Sequence, residues 1–300
     1  MEYFGEHGYQ YLLKNIITNG IDTPDRTGVG RRKLFDQKLI FDLSENKFPA
    51  HTLRPCPTRI AFEEFWAFLN GVVHIDPYLK ERNVTIWEGN TTREFLDKRG
   101  LYNLPEGHLG KGYGFQFRNY NGKYDWTFNP KGGVDQIKNV YKSLKFDPYG
   151  SRHYVNIWNP AQEKDMALPP CWLAHQFVVI PKGDSKVLNL KTYARSADVL
   201  FGTPFNVQQY ALYQMGMALA LGMECGTLSC DMADAHLYQN QIEYALEASE
   251  REVFKSPMLV WNKDLKSLDD VLGLKIEDFY LDGLVVNKQP FVAKKPPMAV

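Results

Sequence analysis

Cysteine is scarce. Four are present, Cys56, Cys171, Cys225 and Cys230, in 300 residues, too few for a disulfide framework. Cys225 and Cys230 have no second pair with which to complete a zinc knuckle, so no metal is expected. That usage fits a reducing compartment. Excess positive charge is also missing, since 35 Lys and Arg balance 35 Asp and Glu. A chain that works on nucleic acid usually carries a basic excess, so DNA is not an expected partner. No hydrophobic run is long. The longest, Tyr210 to Met223, falls short of the roughly 20 residues that span a bilayer, so no membrane partner is expected. The opening MEYFGEHGYQYLLKN lacks a basic segment followed by an apolar one, so no secretion signal is read there. Together these absences point to a cytoplasmic protein. Repeats, low-complexity linkers and sharp shifts of composition are absent too, and residues 1–300 are expected to form a single domain.

What is present is core material. Hydrophobic residues make up 44% and aromatic residues 14%, which excludes a disordered chain. A helix is expected over 2–18, then a polar, Gly-rich loop over 22–32. KLFDQKLIFDL (33–43) alternates and reads as a strand, and TRIAFEEFWAFLNG (58–71) as a helix ending at Gly71. Residues 88–133 read as loops with short helices. HYVNIW, LAHQFVVI and VLNLKTYARS read as strands, and 205–223 and 233–249 as helices. Long strands mixed irregularly with helices predict an α+β fold.

Several residues stand out for chemistry. Cys171 follows two prolines in MALPPCWLAHQF. A buried lone Cys is commonly inert, but a thiol beside a cation such as Arg195 or Arg152 becomes a nucleophile. Glu63 and Glu64 sit in an aromatic helix, about 100° apart, so one can face solvent and the other the core. A carboxylate among aromatic rings has a raised pKa suited to proton transfer. Arg26 in DRTGVG is either a surface residue of a turn or a phosphate ligand. Arg195, Ser196, Asp198 and Asn206 cluster within one polar run. Asn206 is either an N-cap or an amide whose donor and acceptor match the O4 and N3–H edge of uracil. His236 and Tyr238 are expected to share a polar contact at a helix start.

The strings DRTGVG, FEEFWAFLNG, NVTIWEGN, GYGFQFR, GSRHYVNIWNP, MALPPC, RSADVLFGTPFN, AHLYQNQ and the terminal MAV, in this order, resemble the thymidylate synthase family across nearly the whole chain. The resemblance implies that family's fold, a large mixed sheet packed by helices in a sheet-mediated homodimer. It implies folate-dependent one-carbon transfer from 5,10-methylenetetrahydrofolate to carbon 5 of dUMP or a related nucleotide. Cys171 then matches the nucleophile that adds to carbon 6, Glu64 the proton-transfer group, Tyr113 a tyrosine near the proton-abstraction site, and Asn206 the reader of the pyrimidine edge. Arg26, Arg195 and Ser196 match phosphate ligands, and Arg152 a phosphate ligand given by the partner subunit. His236 and Tyr238 match the pair on the sugar 3′-hydroxyl. Trp87, Asp198 and Val300 match the folate side.

The departures from the family pattern are specific. Trp172 stands where synthases have His, Ala194 where they have Gln, His153 for the second Arg of SRR, and Phe201 for Leu. Leu53 stands where a folate-binding Lys is expected, and Leu284 for a Tyr. The family also contains hydroxymethylases, which quench the exocyclic methylene with water in place of hydride. The phage deoxycytidylate enzymes share the departures at Trp172, Ala194 and Phe201 but carry Asp at the base-reading position. Taken alone, these changes favour a deoxyuridylate hydroxymethylase making 5-hydroxymethyl-dUMP, with a divergent thymidylate synthase making dTMP and dihydrofolate as the alternative.

Overall fold

The computed structural model of the protein describes residues 1–125 and 127–296. In chain order the elements are β1 (Glu2–Phe4), α1 (Gly5–Asn19), β2 (Ile21–Thr23), β3 (Arg31–Asp42), α2 (Thr58–Leu69), α3 (Ile75–Lys80), α4 (Arg93–Lys98) and α5 (Gly114–Asn119). Then come β4 (Lys123–Asp125), β5 (Thr127–Lys131), α6 (Gln136–Phe146), β6 (Tyr154–Asn156), β7 (Trp172–Lys182), β8 (Ser185–Ala194) and β9 (Ala197–Asp198). The chain continues with α7 (Thr203–Ala220), β10 (Glu224–Tyr238), α8 (Ile242–Glu250), β11 (Met258–Trp261), α9 (Leu268–Leu272) and β12 (Phe279–Asp282).

The expected α+β class with a large mixed sheet is what the chain adopts. One eight-stranded sheet runs β1-β3-β10-β8-β7-β6, with β2 beside β3 and β9 beside β10. β10 is antiparallel to β3 and parallel to β8, while β8 and β7 form an antiparallel hairpin. Helices α1 and α7 pack on the sheet, and α2 packs against α7. α7 is apolar nearly all round, so it is buried on every side, as such a helix must be. Its Tyr210 and Tyr213 meet Phe65 of α2 at ring-centre distances of 5.1 and 5.9 Å. The opposite sheet face is open at Tyr154, Val178 and Ile180, which are 48, 44 and 53% exposed.

One expected helix is wrong. Residues 233–249 do not form a single helix; Ala233–Tyr238 finish strand β10, and α8 begins only at Ile242. The ladder with β3 holds His236 opposite Lys33 and Tyr238 opposite Arg31, and β9 flanks the other side at Ala235 and His236. Long-range pairing on both edges overrides local helical preference. The change bears on the site. Two apart on a helix point in different directions, whereas two apart on a strand share a face. The first expected helix is also shortened, since Glu2–Phe4 pair with β3 before α1 starts. α2 ends as expected, with Gly71 at φ 76° just past the last turn.

Candidate active site

Cys171 sits immediately before β7 and is half-buried. Arg195, one residue past β8, secures it. The Arg195 backbone N–H donates to the Cys171 carbonyl at 3.0 Å, and the guanidinium donates to the carbonyls of Pro170 and Pro169 at 2.9 and 3.0 Å. Two prolines cannot donate, so their free carbonyls are natural partners for an arginine. Burial pushes the Cys171 thiol above its ordinary value, and the positive charges of Arg195, Arg26 and Arg31 oppose that shift. In a chain of zero net charge, this is a local cationic field.

Tyr113 closes over Cys171 from the other side. Its hydroxyl accepts from the Cys171 backbone N–H at 3.4 Å. Tyr113 has φ 33°, a strained conformation for a residue with a side chain. It precedes Gly114, where a Cβ would lie 2.8 Å from the Val72 carbonyl. The tight turn lets the Tyr113 ring stack on Phe68 at 4.6 Å and meet Trp87 edge-on at 5.4 Å.

Trp87 leads to Glu64. The α2 pair divides as its helical spacing requires. Glu63 faces Arg82 at 3.4 Å, whereas the Glu64 carboxylate turns inward. Glu64 Oε1 accepts from Trp87 Nε1 at 2.7 Å and Oε2 from Gln209 Nε2 at 2.5 Å. Burial raises its pKa to about 7, and the two hydrogen bonds only partly offset this. Gln209 Oε1 in turn accepts from Asn206 Nδ2 at 3.0 Å. Asn206 is not the N-cap of α7. Gly202 holds that place, and the Asn206 amide serves this row of contacts instead. Gln209 was not anticipated; a glutamine in a helix gives no warning of what it faces.

Around this path lie the remaining candidates. Arg26 is exposed in a loop that Asp25 shapes, accepting from the Thr27 hydroxyl at 2.7 Å and the Gly30 N–H at 2.9 Å. Ser196 is half-buried beside Arg195. His236 is buried, its Nδ1 2.9 Å from Asp234 Oδ1, with Tyr238 on the same strand face at 5.3 Å. Asp198 pairs with His236 across β9 and β10. Its Oδ1 accepts from the N–H groups of Leu200 and Phe201 at 3.1 and 3.0 Å, and Oδ2 from Gln241 at 3.1 Å. Arg31, not singled out from the sequence, joins them, its Nη1 4.0 Å from Asp234. Arg152 is exposed at the entrance to β6. Val300 lies outside the described residues. Among the described residues no cluster of ligands suited to a metal occurs, and no helix is long and apolar enough to cross a membrane.

The departures acquire physical causes. Trp172 and Ala194 are register partners across β7 and β8, both are buried, and the Trp172 ring centre lies 5.8 Å from that of Tyr210. His153 is fully buried, held by the Ser143 hydroxyl at 2.9 Å and the Pro148 carbonyl at 3.1 Å, and faces inward. Leu53 is fully buried in the core. The cation of that segment is the neighbouring Arg54, whose guanidinium lies 4.9 Å from the centre of the Phe201 ring and donates to the Leu200 carbonyl at 2.6 Å. A positive group therefore stands near Phe201, contrary to the loss expected from Leu53. Leu284 is exposed.

Comparison with known proteins agrees with the motif resemblance. A family profile described as thymidylate synthase matches residues 7–294. A thymidylate synthase of Candida albicans is 37% identical over 318 residues, covering 98% of this chain and 98% of the relative. A thymidylate synthase of Saccharomyces cerevisiae is 39% identical over 302 residues, covering 97% and 96%. A probable thymidylate synthase of Schizosaccharomyces pombe is 36% identical over 285 residues, and there the chain spans only 45% of the relative's length. These names back the synthase alternative better than the hydroxymethylase reading that the departures favoured.

The raised pKa of Glu64 has a consequence for stability. Its folded value of about 7 exceeds the ordinary 4.5, so folding opposes ionisation. The cost is absent below the unfolded value, grows as pH rises toward 7 and is complete above it. Glu64→Gln, which does not titrate, is expected to gain on the wild type by on the order of 3 kcal/mol between pH 4 and pH 8. Urea denaturation of both proteins across that range checks this, and a constant difference between them contradicts it.

Proposed function

The chain belongs to the thymidylate synthase family of transferases, and on that premise we propose that it transfers a one-carbon unit from 5,10-methylenetetrahydrofolate to carbon 5 of dUMP, giving dTMP and dihydrofolate. The observation that carries this reading is the continuous path from Cys171 through Tyr113, Trp87, Glu64 and Gln209 to Asn206. It joins a thiol, a proton-transfer group and an amide reader on one wall of a single site.

The Cys171 thiolate adds to carbon 6 of the pyrimidine, which makes carbon 5 nucleophilic toward the one-carbon unit. Arg195 favours the thiolate against the burial that disfavours it. Glu64, titrating near 7, both gives and takes protons at neutral pH through water. Asn206 accepts from N3–H and donates to O4. Arg26, Arg195 and Ser196 hold the phosphate, with Arg31 adding charge, and His236 with Tyr238 holds the 3′-hydroxyl. Asp234 fixes the His236 ring. Trp87 and Asp198 serve the folate side, with Arg54 near Phe201. Bound folate supplies the carbon unit and, in the synthase reaction, the hydride. The synthase names of the relatives support hydride as the quencher. Incubation with dUMP and methylenetetrahydrofolate is expected to yield dTMP and dihydrofolate in equal amounts, by mass spectrometry and absorbance, and none with Cys171→Ser. Formation of 5-hydroxymethyl-dUMP with tetrahydrofolate contradicts the product assigned here.

We propose further that residues 1–300 act as one domain in a homodimer that pairs the open sheet faces bearing Tyr154, Val178 and Ile180. Arg152, exposed at the entrance to β6, then reaches the partner's phosphate site. Mixing inactive Cys171→Ser and Arg152→Glu proteins is expected to restore about a quarter of wild-type activity, because half the random dimers carry one intact site. No recovery after subunit exchange argues against a shared site.

A further inference from the structure

Gln209 lies on α7 one turn beyond Asn206 and is 2% exposed. Its amide joins two groups of different character. Nε2 donates to Glu64 Oε2 at 2.5 Å and Oε1 accepts from Asn206 Nδ2 at 3.0 Å. The other Glu64 oxygen is met by Trp87 Nε1 at 2.7 Å, and an indole N–H can only donate. Above pH 7 the Glu64 carboxylate is ionised and can only accept. The sense of the row is therefore set from one end. Trp87 donates and Glu64 accepts. Gln209 must turn its nitrogen to Glu64 and its oxygen to Asn206, and Asn206 must turn its nitrogen to Gln209.

That constraint bears on the base. A primary amide is nearly symmetric in shape, with oxygen and nitrogen exchanging places on a half-turn. In one orientation it accepts from N3–H and donates to O4 of uracil. In the other it donates to N3 and accepts from the amino group of cytosine. An unconstrained asparagine can read both. We propose that Gln209 is a specificity-determining positioning residue, which locks the Asn206 amide in the orientation that takes a uracil nucleotide and refuses a cytosine one. The inference rests on the reading of Asn206 as the group that faces the pyrimidine. Gln209 acts through Asn206 and does not itself meet the ring.

The test is the ratio of dissociation constants for dUMP and dCMP, measured by calorimetry well above pH 7, where Glu64 is ionised, on the wild type, Gln209→Met and Glu64→Gln. Methionine keeps the length and volume of glutamine and removes both hydrogen bonds. The Gln209→Met preference for dUMP is expected to fall at least about tenfold, chiefly because dCMP binds better. In Glu64→Gln the new amide oxygen accepts from Trp87 and its nitrogen donates to Gln209, which reverses the row. That variant is expected to move the preference toward dCMP, and it keeps the inference testable if Gln209→Met does not fold. A ratio unchanged from wild type in either folded variant overturns the role of Gln209. A wild type that binds neither nucleotide overturns the reading of Asn206 beneath it.

Discussion

A carboxylate enclosed among aromatic rings is the constraint from which the rest of the site follows. Among the described residues no cation pairs with Glu64, whose oxygens meet an indole N–H and an amide N–H. Neutral donors ease burial of the charge without cancelling it, so the group titrates near neutrality instead of staying ionised. A lysine or arginine in place of either donor would hold the carboxyl ionised and remove its use as a proton carrier. The two donors also fix the direction of the contacts beyond them, so proton transfer and base reading draw on the same row of hydrogen bonds.

The scaffold around this row is stiff. Glu64 and Gln209 come from α2 and α7, which pack through Phe65, Tyr210 and Tyr213. Cys171 and Arg195 come from the adjoining ends of the β7–β8 hairpin and are bonded backbone to backbone. His236 and Asp198 are set by the pairing of β10 and β9. The strained Tyr113 spans the gap between thiol and carboxylate, held by aromatic contacts on two sides. Functional groups on helices and strands are placed more narrowly than groups on free loops.

Much of this was legible in the sequence, and for physical reasons. Period 2 in 33–43 and the apolar helix before Gly71 located β3 and α2. The aromatic neighbours in the Glu63–Glu64 helix announced a raised pKa. The helix expected over 233–249 failed because two distant strands claim residues 233–238, and no local pattern shows such partners. Gln209 and Arg54 were missed because their meaning lies in what folds against them. Trp172 and Ala194 lie apart along the chain, and only the register of β7 with β8 sets them opposite one another.

The enclosed carboxylate can be observed directly. Infrared difference spectra between the wild type and Glu64→Gln isolate the Glu64 carboxyl stretch, which is followed from pH 4 to pH 9. The account predicts a single protonated-to-ionised transition centred about pH 7, moving further upward when Trp87→Phe removes one donor. A transition at the ordinary value near 4.5, or no response to the loss of the indole N–H, would contradict it.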